Sequence, residues 1–115
     1  MSSTAEQTVV GHIGETVTRV TIDHESVGLL LGSSGVNIDG SWALLDTAGV
    51  VIDSDCKYAD RRDFMLWKAI GTTVVSSIIT QDNQLHIVFS NGLKLEARSD
   101  NDGFEDWQLI RKKTR

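Results

Sequence analysis

The sequence predicts a mainly β (β-rich α+β) protein: two similar antiparallel meanders that form an open half-barrel or a sandwich, with one short helix between them. The first observation is an internal similarity, because "GETVTRVTID" from Gly14 and "GTTVVSSIIT" from Gly71 begin two comparable segments. In each segment a polar turn, an apolar strand, a tight turn at a glycine and a strand that starts with tryptophan follow in the same order. The pseudo-repeats therefore span about 14–46 and 71–110, and each is expected to form a four-stranded meander.

The second observation is the alternation of apolar and polar side chains that a strand with one buried face requires. In "LHIVF" the alternation places Leu85, Ile87 and Phe89 on one face. The "SNG" at Ser90–Gly92 predicts a two-residue hairpin turn, because Asn-Gly readily adopts the positive φ that such a turn needs. "LLDTAGVVID" adds a hairpin to the first copy, with its turn at Thr47–Gly49.

The first strand of the first copy is less regular than the others. Val17, Val20 and Ile22 can share one face only if the strand contains a β-bulge, which inserts one extra residue and shifts the alternation. The pattern does not decide whether the two copies come from a true duplication or from a general similarity between hairpins.

The segment between the copies, "DRRDFMLWKAIG", predicts the only helix, over residues 61–70. Asp60 is a suitable N-cap, because its carboxylate can accept hydrogen bonds from the free amides of the first turn. Gly71 suits the position just beyond the C-terminus of the helix. Three apolar residues recur at every third position and predict one stripe against the sheet: Phe64, Trp67 and Ile70.

A length of 115 residues fits one compact domain. We expect a mobile polar tail over residues 1–12, a β-rich domain over 13–110 and a basic tail over 111–115. No stretch of the sequence is apolar and long enough for a transmembrane helix, and the N-terminus lacks the features of a secretory signal. Because Cys56 is the sole cysteine, no intrachain disulfide can form, which favours a cytoplasmic location.

The charge of the chain points away from nucleic acid. The net charge is −5, and four of the eleven basic residues lie in the last five positions, so the remainder is strongly acidic. Such a body repels a phosphate backbone and attracts basic partners. We therefore expect a protein partner, with no nucleic acid and no membrane. A homo-oligomer formed through exposed sheet edges stays open as a further class.

The stretch "SDNDGFEDWQL" has the composition of a calcium loop but not its spacing. An EF-hand loop with Gly103 at its sixth position would need an acid where Arg98 stands and a glutamate where Leu109 stands. No two histidines have the spacing of metal ligands, none has a thiol nearby at such a spacing, and no serine stands in a nucleophile motif. We therefore expect no metal, no cofactor and no catalytic residue, and we class the protein as non-enzymatic.

The second half of the chain resembles a family of small bacterial β-proteins of unknown function. The pattern comprises "IGTTV", "SNGLKLE" and "GFEDWQL", and the relatives carry an aromatic residue, an acid, a small or polar residue and then W-x-L in the last segment. Phe104, Glu105, Asp106, Trp107 and Leu109 occupy it here. Several such proteins look like immunity proteins of polymorphic toxin or contact-dependent growth inhibition systems. The resemblance implies a cytoplasmic protein that binds and blocks a toxin domain, without catalytic residues of its own. The acidic charge adds the expectation that this domain is basic, for example a nuclease.

Two acidic clusters are the candidate partner-binding residues, because complementary charge accelerates association with a basic protein. One cluster surrounds the start of the predicted helix and the other precedes the last strand: Asp53, Asp55, Asp60 and Asp63, and Asp100, Asp102, Glu105 and Asp106. Trp107, with its counterpart Trp42, is either a packing residue or an apolar anchor of the kind enriched at binding hot spots. The alternative functions are a small-ligand-binding or regulatory β-domain that uses a half-barrel cavity, and a homo-oligomeric structural module.

Overall fold

The computed structural model describes residues 7–22, 26–32, 34–55, 65–82, 84–98 and 107–110, the last of these by backbone alone. Within these residues the fold is mainly β, as predicted. The strands are β1 Gln7–Thr8, β2 Val17–Ile22, β3 Val27–Leu31, β4 Ser34–Ile38, β5 Trp42–Leu45, β6 Val51–Ser54, β7 Val74–Ile79, β8 Leu85–Phe89, β9 Lys94–Ala97 and β10 Trp107–Ile110. A six-stranded antiparallel sheet has the order β1-β7-β8-β9-β5-β6, and a four-stranded one the order β10-β4-β3-β2. Neither sheet closes into a barrel among the described strands.

The core lies between the inward faces of the two sheets. The predicted alternation of β8 is confirmed, since Leu85, Ile87 and Phe89 are all buried while the residues between them are half-exposed. Among the described side chains, the largest that is buried is that of Trp42, at the start of β5. Trp42 is therefore a core residue and not an exposed anchor.

The predicted four-stranded meanders are wrong in their fourth strand. The first three strands of each copy pair with their sequence neighbours, β2-β3-β4 and β7-β8-β9. The fourth strands are exchanged, because β5 pairs with β9 of the second copy and β10 pairs with β4 of the first. The exchange places one strand of each copy in the sheet of the other, so both copies contribute to one core.

The two copies carry their irregularities at equivalent positions. The predicted β-bulge of the first strand is confirmed between Val17 and Arg19, and the first strand of the second copy has one between Val74 and Ser76. The bulge keeps Val17 buried and packs Val20 against the core. It does not bring Ile22 inside, however, since that side chain is exposed.

A short antiparallel contact joins the copies where they begin. Thr16 and Thr73 form an isolated bridge. On either side, the Gly14 amide donates to the Val74 carbonyl at 2.8 Å, and the Gly71 amide donates to the Val17 carbonyl at 2.8 Å. Gly14 and Gly71 have nearly the same φ, 86° and 87°. This contact therefore relates the two copies by a local pseudo-two-fold axis.

Both predicted hairpins form, but the loop at Ser90–Gly92 has three residues where a two-residue turn was predicted. Phe89 and Leu93 close a three-residue loop over Ser90–Gly92, with the Gly92 amide donating to the Phe89 carbonyl at 2.9 Å. Only Gly92 is needed at a positive φ, 91°, because the loop is a turn followed by one left-handed residue. The hairpin at Thr47–Gly49 has the same arrangement, and the two loops touch, since a Cβ at Gly92 would collide with the Thr47 methyl group.

In the part that the structure describes, the helix predicted over 61–70 differs from the prediction in type and in orientation. The described part is a single 3-10 helix, Leu66–Ala69, whereas 60–64, with the proposed cap Asp60 and the stripe residue Phe64, lie outside the described residues. Leu66 and Ala69 are fully buried, while Trp67 and Ile70 of the predicted stripe are 56% and 48% exposed. A 3-10 helix repeats every three residues. Leu66 and Ala69 therefore lie on one side of the helix and Trp67 and Ile70 on another. The side with the smaller residues faces the core.

The predicted mobile tail over residues 1–12 is wrong from residue 7 onwards. Gln7–Thr8 pairs with β7, and Val10–His12 forms a 3-10 helix that packs on β7. This helix is the counterpart of Leu66–Ala69, which packs on β2 of the other copy. His12 is buried, and its Nδ1 lies 3.1 Å from the Ser77 Oγ. Residues 1–6 and the basic segment 111–115 lie outside the described residues.

Candidate functional site

Asp53, predicted as a surface acid, is buried in β6. Counting back from the hairpin loop would place it on the outer face of the sheet. A bulge intervenes, because Leu45 pairs with Val51 whereas Leu44 pairs with Asp53, one residue out of step. The extra residue turns the Asp53 side chain to the core face, where Leu44 also lies. Asp53 therefore offers no charge to a partner at the surface.

The Asp53 carboxylate instead orders the chain that follows residue 64. Its Oδ2 accepts hydrogen bonds from the amides of Met65 and Leu66 at 2.6 and 2.9 Å. Its Oδ1 accepts one from the Ser54 amide at 2.8 Å. The Met65 and Leu66 amides lie at the start of the 3-10 helix, where the Met65 side chain itself makes no capping hydrogen bond. A buried carboxylate with this many donors is fully hydrogen-bonded, as burial requires.

We call Leu66–Ile70 the Trp67 turn. Two further side chains fix the backbone of this turn beyond its start. The Asn91 Nδ2 donates to the Lys68 carbonyl at 3.2 Å. The Thr72 hydroxyl donates to the Ala69 carbonyl at 2.7 Å. The Trp67 turn is thus held by β6 at its start, by the β8–β9 hairpin in its middle and by the second copy's first residues at its end.

The Trp67 turn presents large apolar side chains to solvent. Trp67 and Ile70 are both about half-exposed, and Lys68 between them is exposed as well. An exposed tryptophan on a rigid backbone is the arrangement found at binding hot spots. The sequence instead suggested Trp107, which lies in β10 opposite Ile38 and whose side chain is outside the described part.

Of the other predicted acids, only Asp55 is among the described residues. It is half-buried at the end of β6, and its Oδ1 accepts a hydrogen bond from the Trp42 amide at 3.3 Å. The remaining candidates lie outside the described residues, as does Cys56: Asp60, Asp63, Asp100, Asp102, Glu105 and Asp106.

The topology nevertheless relates the two acidic clusters. Segment 56–64 follows Asp55 at the end of β6, and segment 99–106 follows Arg98 at the end of β9. β6 and β9 flank β5 on either side and both end at the level of its first residues. Asp55 and Arg98, the described residues that precede these segments, therefore lie about 10 Å apart, two strand spacings, at the same end of the six-stranded sheet.

The two segments differ in charge. Segment 56–64 contains charges of both signs that nearly cancel: Lys57, Asp60, Arg61, Arg62 and Asp63. Segment 99–106 contains four acids and no basic residue. The acidic character predicted for both clusters therefore belongs chiefly to 99–106.

The described residues contain few groups with catalytic chemistry. His12 and Ser77 form a side-chain pair, but both are buried, at 3% and 0% exposure. His86 lies on the outer face of β8, with its Nε2 3.3 Å from the Gln84 Oε1. No three His, Cys, Asp or Glu side chains of the described part are grouped as metal ligands. No helix in that part is both long and apolar enough to cross a bilayer.

One comparison with known proteins gives a match. The model of a family of unknown function, DUF6188, matches residues 10–115. No curated protein and no solved structure matches the chain. The family description carries no activity, so the resemblance to immunity proteins stays a prediction.

Proposed function

We propose that this protein, which belongs to the DUF6188 family, is a non-catalytic binding protein that holds a basic protein partner against the Trp67 turn. The partner that we propose is a toxin domain, which the protein neutralises. The observation that carries the proposal is an exposed tryptophan on a turn whose backbone is fixed by buried Asp53 and by Asn91.

The Trp67 turn supports the binding part of the proposal through its rigidity. Trp67 and Ile70 offer apolar surface that water does not favour, and burial of such surface drives association. Because the hydrogen bonds of Asp53 already order the backbone, binding orders little more than the side chains. Preorganisation of this kind lowers the entropic cost of association.

The charge supports a basic partner. The chain has a net charge of −5, and segment 99–106 alone contributes four acids without a basic residue. Complementary charge raises the association rate, whereas buried apolar anchors set the lifetime of the complex. A toxin that acts on nucleic acid is itself basic, since it must bind phosphate. An acidic antagonist would therefore find it quickly.

The test is a pull-down with tagged protein from a lysate of the source organism, at low and moderate salt, followed by mass spectrometry. We expect a stoichiometric basic protein whose capture falls as salt rises. Trp67→Ser should raise the dissociation rate at least tenfold, as expected for a hot-spot residue. Val50→Ser is the matched control, because Val50 is also 56% exposed but lies in the β5–β6 hairpin, outside the Trp67 turn.

The charge is tested separately on the purified pair. Neutralisation of Asp100, Asp102, Glu105 and Asp106 to the corresponding amides should slow association and reduce its salt dependence. The control neutralises four acids elsewhere in the chain to give the same net charge: Glu6, Asp23, Glu25 and Asp82. Equal effects of both sets would contradict a role for segment 99–106.

Growth distinguishes toxin neutralisation from binding in general. The captured protein, expressed alone, should arrest growth, and co-expression of the wild-type chain should restore it. A captured protein without effect on growth would refute neutralisation and leave the binding role. Capture that neither Trp67→Ser nor the acid variant alters would refute both.

A further inference from the structure

A groove lies at the end of the six-stranded sheet where β6 and β9 end beside the first residues of β5. Its volume is about 300 Å³. It is lined by Ala43 of β5, by Val51 and Ser54 of β6, and by Arg98, which follows β9. None of the lining residues belongs to the Trp67 turn.

The groove exists because Ala43 is small. Ala43 sits between buried Trp42 and buried Leu44, so its side chain points to the outer face of the sheet. It pairs with Glu96 on one side and with Ser54 on the other. A larger side chain at this position would fill the space without touching the backbone hydrogen bonds of β5.

Two opposite charges line the groove without neutralising each other. Asp55 is half-buried, and its Oδ1 is held by the Trp42 amide at 3.3 Å. Arg98 is exposed at its side chain but fixed at its backbone, because its amide donates to the Ser41 carbonyl at 2.9 Å. Among the described side chains the ion pair is Lys94–Glu96, at 3.2 Å, and it involves neither Arg98 nor Asp55.

We propose that this groove binds a small zwitterion, an amino acid with its carboxylate on Arg98 and its ammonium group on Asp55. A ligand with a single charge would satisfy one of these groups and bring a like charge near the other. A zwitterion satisfies both, since guanidinium groups bind carboxylates in paired hydrogen bonds and carboxylates accept from ammonium groups. The volume admits a short chain between the two charged ends. This inference is independent of the protein partner.

The test is a chemical-shift titration of the ¹⁵N-labelled full chain with glycine, β-alanine and γ-aminobutyrate. The three probes differ only in the distance between their charges. We expect saturable shifts at the amides of Ala43 and Arg98 for at least one probe. Acetate and methylammonium, which each carry one charge, should bind at least tenfold more weakly than the best zwitterion.

Three variants test the groove. Ala43→Leu should abolish the shifts by filling the space, and Arg98→Gln and Asp55→Asn should each weaken binding at least tenfold. The asparagine keeps an oxygen for the Trp42 amide, so the fold is retained. Lys94→Gln is the matched control, because Lys94 is a cation of β9, the strand that precedes Arg98, and lies outside the groove lining. It should bind as the wild type does.

Three results would overturn the proposal. The first is the absence of saturable shifts for every zwitterion at ligand concentrations up to about 10 mM. A dissociation constant above that value means binding weaker than about 3 kcal/mol. The second is equal binding of acetate, which would make the groove an anion site. The third is equal loss in Lys94→Gln and Arg98→Gln, which would indicate non-specific attraction. If Ala43→Leu does not fold, Arg98→Gln and Asp55→Asn still decide the outcome.

Discussion

Thr16 and Thr73 face each other across an antiparallel bridge that connects the first strand of one copy to the first strand of the other. The bridge lies at the pseudo-two-fold axis, and the surrounding hydrogen bonds come in reciprocal pairs. Equivalent residues of the two copies should therefore respond alike to the same substitution.

Gly14→Ala and Gly71→Ala test this equivalence. Both glycines have a φ near +86°, and a methyl group added at either would have no other atom within 4 Å, so the penalty is conformational and not steric. We expect each variant to lower the free energy of unfolding by about 1–2 kcal/mol, the cost of a left-handed residue with a side chain. Urea denaturation measures both. Losses that differ more than twofold would contradict the equivalence.

Gly92→Ala should be more harmful than Gly49→Ala. Both glycines have a positive φ, at 91° and 84°, but only Gly92 faces another side chain, the Thr47 methyl group. Gly49→Ala should cost about 1–2 kcal/mol, and Gly92→Ala about 1–3 kcal/mol more because of the collision. Thermal and urea unfolding give the two values.

The steric part of that penalty can be isolated. Thr47→Ala alone should be nearly neutral, because Thr47 is exposed. Combined with Gly92→Ala, it should recover the excess over Gly49→Ala. A double variant that is no more stable than Gly92→Ala would show that the two loops do not touch.

Asp53→Asn should destabilise the protein by about 1–3 kcal/mol, since an amide can accept at only one oxygen and leaves a buried donor without a partner. Both oxygens of Asp53 accept backbone hydrogen bonds. Asp46→Asn is the matched control, because the Oδ1 of Asp46 alone accepts from the Ala48 and Val50 amides. That single oxygen survives in asparagine. Equal losses in the two variants would contradict the assigned role of Asp53.

Leu66→Ala and Trp67→Ser test which side of the Trp67 turn faces the core. Leu66 is fully buried, so its truncation should cost about 2–5 kcal/mol. Trp67 is 56% exposed, so Trp67→Ser should cost less than about 1 kcal/mol although it removes more atoms. Urea midpoints of the two variants measure the difference. The opposite order would restore the stripe that the sequence predicted.

The strands, the hairpins and the bulge at Val17 could be predicted because each depends on local alternation. The partners of the fourth strands could not. Sequence order favours pairing with the preceding strand, whereas the choice between β4 and β9 as partner of β5 depends on which edge is free in the folded protein. The residues "WALL" show no pattern that would indicate which of the two strands is the partner.

The position of Asp53 escaped prediction for a related reason. The loop at Thr47–Gly49 sets the hairpin register, and from that register Asp53 belongs outside. One bulge between Leu44 and Leu45 reverses this. A one-residue shift moves a side chain to the opposite face, and "LLDTAGVVID" has no glycine at the bulge that would have revealed it.

The exchange of β5 and β10 has a consequence for synthesis. On the ribosome β4 is made long before β10, and β5 long before β9. β4 can pair with β3 and β5 with β6 at once, but the second edge of each stays unpaired until the second copy has been translated. An unpaired strand edge is a template for pairing with other chains. We therefore expect the nascent first copy to depend on protection by chaperones, and a stalled ribosome to leave a fragment that aggregates instead of a folded half.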